Sequence, residues 1–210
     1  GRTKLLMYAV MRFGKSFTAM CCAKDMDAKT VVVVSAKADV KKEWKKTVES
    51  HIYFSGYKYI DSKSLQQNET VIADTLAAGK KVALFLTLQD LQGNDIKVRH
   101  KEVFERKTDL LIIDETHFGA RGASYGKVLQ EQRLSKSEIT KELKHIDGFE
   151  TLDKAEEAVK VLKAGVRLHL SGTPYRILMG DEFRKEDIIA SVSFTDITDA
   201  QRKWDNEHLK

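Results

Sequence analysis

Leu111-Ile112-Ile113-Asp114-Glu115-Thr116-His117 is an apolar run that stops on two adjacent carboxylates. Its length and composition predict a strand buried on both faces, with Asp114 and Glu115 delivered at its carboxyl end. Downstream, Leu168-His169-Leu170-Ser171-Gly172-Thr173-Pro174 repeats the plan with a hydroxyl-rich tip. Upstream, an apolar run over Leu5 to Met11 leads through Arg12-Phe13-Gly14 into Lys15-Ser16 and a helical pattern. Strand, glycine turn, Lys-Ser and helix is a context in which backbone N–H groups can cradle phosphate.

Further runs of the same kind fill the chain. Val31-Val32-Val33-Val34 is β-branched throughout and does not alternate with polar residues, which marks a strand covered on both sides. Val82 to Leu86, Asp109 to Ile113 and Val166 to Leu170 read the same way, with a shorter strand over Tyr57 to Ile60 and an edge strand over Ile188 to Phe194. Helices are expected over Asp39 to Ser50, with Val40, Trp44 and Val48 on one face, and over Glu69 to Ala78, ending at Gly79. Shorter ones are expected over Lys101 to Arg106 and Tyr125 to Leu134, and a solvent-facing one over Asp199 to Lys210. The polar stretch from Ser135 to Lys163 carries Leu152, Ala155, Val159 and Leu162 at helical spacing and reads as an amphipathic insertion between two core strands. Apolar strands alternating with helices predict an α/β fold, a mostly parallel sheet with helices on both faces. Ligands of such sheets lie beyond the carboxyl ends of the strands. Gly14 to Ser16, Ser35 to Lys37, Thr87 to Asp90, Asp114 to His117 and Ser171 to Thr173 are all expected there.

Composition bounds the rest. The 210 residues are 42% hydrophobic and 32% charged, with a net charge of +5, enough for a core and only mildly basic. That balance permits a nucleic-acid partner without demanding one. Cys21 and Cys22 are neighbours in a predicted helix, where side chains diverge by about 100°, so they are read as reduced thiols packed on the sheet, as in a reducing cytoplasm. No apolar run approaches the ~20 residues that span a membrane. The chain opens almost directly on a core strand without a signal peptide, which reads as a piece of a longer protein.

The chemistry follows from residue types. Lys15 can neutralise the β- and γ-phosphates of a nucleoside triphosphate, and the Ser16 hydroxyl can hold Mg²⁺. Asp114 suits the same ion, directly or through water, and Glu115 suits polarising the water that attacks the γ-phosphate. His117 is placed to sense the γ-phosphate, and the hydroxyls of Ser171 and Thr173 to link that site to the rest of the domain. Each feature has a plain alternative: a chance Gly-Lys-Ser at a helix start, a solvated acidic strand end, an ordinary turn. The face formed by Lys41, Lys42, Lys45 and Lys46 reads first as solvated.

Taken together, the motifs resemble the first RecA-like domain of a superfamily 2 helicase or translocase of the DExH (DEAD/DEAH-box) type, a P-loop ATPase. Gly14-Lys15-Ser16 is similar to motif I, Asp114-Glu115-Thr116-His117 to motif II and Ser171-Gly172-Thr173 to motif III. Val31 to Lys37 followed by Trp44 resembles motif Ia, and Thr87-Leu88-Gln89-Asp90-Leu91 resembles motif Ib of restriction-enzyme motor subunits. The resemblance spans nearly the whole chain. It implies ATP and Mg²⁺ as cofactors. Catalytic roles fall to Glu115, Asp114 and Lys15, nucleotide contacts to Arg12, Phe13, Gly14, Lys15, Ser16 and Phe17, and nucleic-acid contacts to Lys37, Thr87 and Gln89. It implies DNA, taken to be duplex, as the partner. Two departures stand out: Ala9 occupies the position of the template's first glycine, and Arg12 stands where many relatives carry glycine, from which it could reach a phosphate or a carboxylate. Nothing after Thr173 resembles the second RecA-like domain, which supplies arginine fingers in this family, so the chain alone is expected to turn over very slowly. An RNA helicase, a P-loop ATPase that moves proteins and a scaffold with a decayed site are the alternatives.

Overall fold

The computed structural model describes residues 3–10, 12–36, 38–91, 100–114, 159–160, 162–172 and 183–208. Among these described residues seven strands make one sheet in the order β3-β4-β2-β5-β6-β1-β7. They are β1 Lys4–Ala9, β2 Thr30–Ser35, β3 Tyr57–Asp61, β4 Lys81–Thr87, β5 Thr108–Asp114, β6 Ala164–Ser171 and β7 Ile188–Val192. Every neighbouring pair is parallel. The helices among the described residues are α1 Lys15–Asp25, α2 Lys41–Ser50, α3 Ser62–Gln67, α4 Val71–Ala77, α5 Lys101–Glu105 and α6 Phe194–His208.

The valine run shows why the strands are apolar without alternation. Val31 and Val33 enter one core cluster with Met20, Trp44 and Val48, while Val32 and Val34 enter another with Leu65, Ile72 and Val103. Successive side chains of a strand point to opposite faces, so a sheet covered on both faces needs apolar residues at every position. Burying one such side chain contributes about 1.5–3 kcal/mol. α1 and α2 lie on the first face, and Cys21 and Cys22 of α1 pack half-buried against it. Burial is the main cause that raises both thiols above their ordinary value. The second face is covered by α3, α4 and α5, with Val159 and Leu162 of the 135–163 stretch.

Several element boundaries differ from expectation for local reasons. β1 stops at Ala9, and Arg12 then enters the left-handed region with φ 65°. α2 starts at Lys41 rather than Asp39. α4 starts at Val71 rather than Glu69, because Asn68 Oδ1 accepts from both the Thr70 N–H and hydroxyl and holds a turn there. Its end is as expected: Gly79 takes φ 73° just beyond the last turn. The helix α3 was not expected; Asp61 caps it by accepting from the Ser64 N–H, and its carboxylate also meets Lys41 at 2.6 Å. β7 is an edge strand but ends at Val192, and α6 begins at Phe194, ahead of the predicted Asp199. The cause is a reciprocal cap: Ser193 N and Oγ donate to Asp196 Oδ2, and Asp196 N donates back to Ser193 Oγ. α6 buries no residue, as expected of a solvent-facing tail. The helix predicted over Tyr125 to Leu134 and most of the 135–163 insertion lie outside the described residues.

Candidate nucleotide site

Parallel pairing sets the strand ends level. Ser35 pairs with Thr87 on one side and Asp114 on the other, Asp114 pairs with Leu170, and Ser171 pairs with Tyr8. The last residues of β1, β2, β4, β5 and β6 therefore share one rim of the sheet. β6 lies between β1 and β5, so Ser171 sits between the strand that leads to the phosphate-type turn and the strand that ends on Asp114.

The turn after β1 is shaped by two left-handed residues, Arg12 at φ 65° and Gly14 at φ 89°. Gly14 is the N-cap of α1, and α1 has no side-chain cap and no acidic residue in its first turn. Its leading N–H groups and dipole thus face outward without a competing anion of the helix itself, a setting suited to phosphate. Lys15 Nζ donates to the carbonyls of Ala9 and Val10 at 3.2 and 3.4 Å, which holds the ammonium inside the turn. Ser16 is half-buried on the same first turn, while Arg12, Phe13 and Phe17 are exposed. Among the described residues Arg12 makes no ion pair, so the reach to a carboxylate is not seen there. Phe17 packs its ring against His51 at 4.6 Å and against Phe54 at 5.3 Å, which fastens the start of α1 to the segment after α2.

Asp114 is nearly buried, at 8% exposure, and its Oδ2 accepts from the Trp44 indole N–H at 3.0 Å. Trp44 comes from α2 and is among the largest fully buried side chains. Sequence reasoning placed Trp44 on the packing face of its helix and missed this bond. An apolar stripe reports which face is buried, and carries no signal for where a buried ring aims its single polar atom. Ser171 is fully buried at the end of β6. His169, two residues earlier, is buried against the Phe183 ring with neither ring nitrogen hydrogen-bonded. Burial, then the charges of Lys4 and Arg167, hold its pKa down to about 3, so it is neutral near pH 7.

The rim continues over β4. The Thr87 N–H and hydroxyl both donate to Asp90 Oδ2 at 2.8 Å, and the Asp90 N–H donates to Thr87 Oγ1 at 3.1 Å. The Thr87 hydroxyl proton is thereby committed to Asp90, while Gln89 is exposed beside it. His100 Nε2 lies 3.0 Å from the Asp90 carbonyl and anchors the turn from below. Lys37, Glu115, His117 and Thr173, all expected at this rim, lie outside the described residues.

The residues present fit a nucleoside triphosphate and a hard cation. The open N-terminus of α1 and Lys15 are suited to phosphates, and Ser16 with Asp114 could offer oxygen ligands. Among the described residues no group of three or more His, Cys, Asp or Glu could hold a metal ion. Mg²⁺ does not need one, since it commonly takes one or two carboxylates and fills its shell with phosphate and water.

The family described as type III restriction enzyme, res subunit, matches residues 3–176. That span contains Gly14-Lys15-Ser16, Asp114 to His117 and Ser171 to Pro174 in one continuous match. The chain belongs to the type III restriction enzyme res-subunit family. As a res-subunit domain it is helicase-like, and its parallel sheet is the RecA-like α/β fold expected of one. Among curated proteins it is 25% identical to the C-terminus of a putative type II restriction enzyme and methyltransferase of Mycoplasma pneumoniae, covering 99% of this chain and 30% of that protein. The res-subunit chain thus spans under a third of that relative. Among solved structures it is similar to S. tokodaii Xpd4, at 11% identity and a TM-score of 0.42, over 92% of this chain and 39% of that one. Among the described residues no helix is long and apolar enough to cross a membrane.

Proposed function

We propose that this domain binds ATP with Mg²⁺ at the sheet rim and hydrolyses it as part of a DNA-dependent motor of a larger restriction-type protein. The observation that carries the reading is the meeting of two motifs: parallel pairing brings the α1 N-terminus with Lys15 and the β5 terminus with Asp114 to the same rim, on either side of Ser171. In this reading the first turn of α1 and Lys15 hold the phosphates, with Arg12, Phe13 and Phe17 around them. Ser16 and Asp114 hold the cation, which neutralises developing charge on the phosphoryl group when bound. Glu115 orients the attacking water and takes its proton. His117, Ser171 and Thr173 relay the state of the γ-phosphate. Lys37, Thr87 and Gln89 face the nucleic-acid backbone; with the Thr87 hydroxyl given to Asp90, exposed Gln89 is the better placed donor of the two described residues.

Residues 1–210 form one RecA-like domain in this proposal, with 135–163 as an insertion. A second RecA-like domain of the parent supplies the charge that completes the transition state, and the site of action is the cytoplasm. Steady-state ATPase of the full-length parent, with duplex DNA, single-stranded DNA, RNA or no nucleic acid, tests it. Strong stimulation by duplex DNA, lost in Lys15→Ala, is the expected result. Stimulation by RNA alone would make it an RNA helicase, and indifference to all nucleic acids would leave an ATPase without a track.

A further inference from the structure

The buried bond between Trp44 and Asp114 joins two elements that local sequence does not connect. Asp114 ends β5, the strand beside β2, and Trp44 sits at the start of α2, the helix that follows β2. An indole N–H is a donor with no acceptor capacity, so its partner must present an oxygen lone pair in a fixed direction. The Trp44 ring cannot swing to follow a moving carboxylate, because it is 1% exposed and wedged in the core cluster with Met20, Val33 and Val48. Of the two partners, the indole is the fixed one and the carboxylate the one being held. A carboxylate left to rotate about its own bond would offer a cation a changing pair of oxygens. The bond to Oδ2 at 3.0 Å favours one orientation.

We propose that Trp44 is a positioning residue for magnesium binding: its indole N–H sets the rotation of the Asp114 carboxylate. Through it, the orientation of that carboxylate is tied to α2. This rests on the reading that Asp114 holds the cation. α2 in turn packs on α1, which begins at the phosphate turn, and the Phe17, His51 and Phe54 rings lock the far end of α2 to α1. Both halves of the nucleotide site are therefore referenced to one helix.

The test is equilibrium binding of a fluorescent ATP analogue to the full-length parent, titrated with magnesium and repeated in EDTA, together with thermal melting. Trp44→Phe keeps an aromatic ring and removes the donor. It is expected to raise the magnesium concentration needed for half-maximal binding by about 10- to 100-fold, the usual cost of losing a partner that orients a ligand. Affinity measured in EDTA should stay within about twofold, because the phosphate turn is untouched. Trp44→His, which restores a ring N–H, should recover part of the loss. Val48→Ala, from the same buried face, is the packing control: it should lower the melting temperature and leave the magnesium requirement unchanged. Equal magnesium requirements for wild type and Trp44→Phe would overturn the proposal, as would a Val48→Ala variant that shifts it as far as Trp44→Phe does. Asp114→Asn separates the two layers. If Asp114→Asn raises the magnesium requirement and Trp44→Phe does not, only the role of Trp44 fails. If Asp114→Asn has no effect, the cation reading itself fails.

Discussion

At the scale of single residues, the turn after β1 depends on two backbone conformations that suit glycine. At Gly14, with φ 89°, an added Cβ would meet nothing within 4 Å, so a substitution there carries a conformational cost and no clash. Gly14→Ala is expected to lower stability by about 1–2 kcal/mol in urea unfolding. Arg12 already bears the corresponding cost at φ 65°. Arg12→Gly relieves it and adds freedom to the unfolded chain, so the two effects largely cancel and the change should stay within about 1 kcal/mol. A loss of more than that would mean the Arg12 side chain holds the turn together. Glu115→Gln is expected to keep ATP binding in the parent and reduce turnover by at least about 100-fold, the contribution of a positioned base. Normal turnover in that variant would remove Glu115 from the role of water-activating residue.

At the scale of elements, β6 carries a buried histidine whose neutrality makes stability depend on pH. His169 titrates near 3 in the fold, against about 6.5 for a free histidine. Above pH ~6.5 both states are neutral and its contribution is fully present. As pH falls below that, the unfolded chain takes up a proton that the folded chain refuses, and stability drops by up to about 1.4 kcal/mol per pH unit until the folded value is reached. His169→Leu should therefore reduce the stability difference between pH 7 and pH 5 by about 1–2 kcal/mol in denaturant titrations. An unchanged difference would show that the histidine is solvated or bonded when folded. The elements themselves were unequally legible in sequence. The apolar strands announced themselves because a sheet covered on both faces leaves no polar positions to confuse the pattern, as in Val31 to Val34. The helix Ser62–Gln67 did not, since Leu65 is its only buried apolar side chain and a short helix is defined by its Asp61 cap more than by periodicity. The Ser193 to Asp196 cap does carry a sequence signal, a serine three residues before an aspartate, and it competes with the strand pattern that runs on to Phe194.

At the scale of the whole molecule, the rim collects residues from segments far apart in the chain, and the sequence pattern encoded which residues reach it better than the order in which strands deliver them. Nothing in the composition of β6 states that it inserts between β1 and β5; that follows only from pairing Leu5 with Leu168 and Ile112 with Leu168. Nor could it give the Trp44–Asp114 bond, which depends on how α2 settles on the sheet. Turnover belongs to this scale as well. The isolated chain is expected to bind nucleotide weakly and to hydrolyse it far more slowly than the DNA-stimulated parent, by about 10³-fold or more if an arginine finger is what it lacks. Robust single-domain ATPase would show that the first domain is sufficient.

The position of β1 has a consequence for how the protein is made. Within this domain β1 is synthesised ahead of its partners in the sheet, β6, which begins at Ala164, and β7. At 5–20 residues per second, a ribosome takes roughly 8–30 s to reach them. Throughout that interval the apolar strand lacks both of its neighbours in the described sheet, while β2 to β5 can already assemble among themselves. The candidate nucleotide site is therefore among the last parts of this domain to come into being, and β1 is the stretch of the domain most in need of a chaperone.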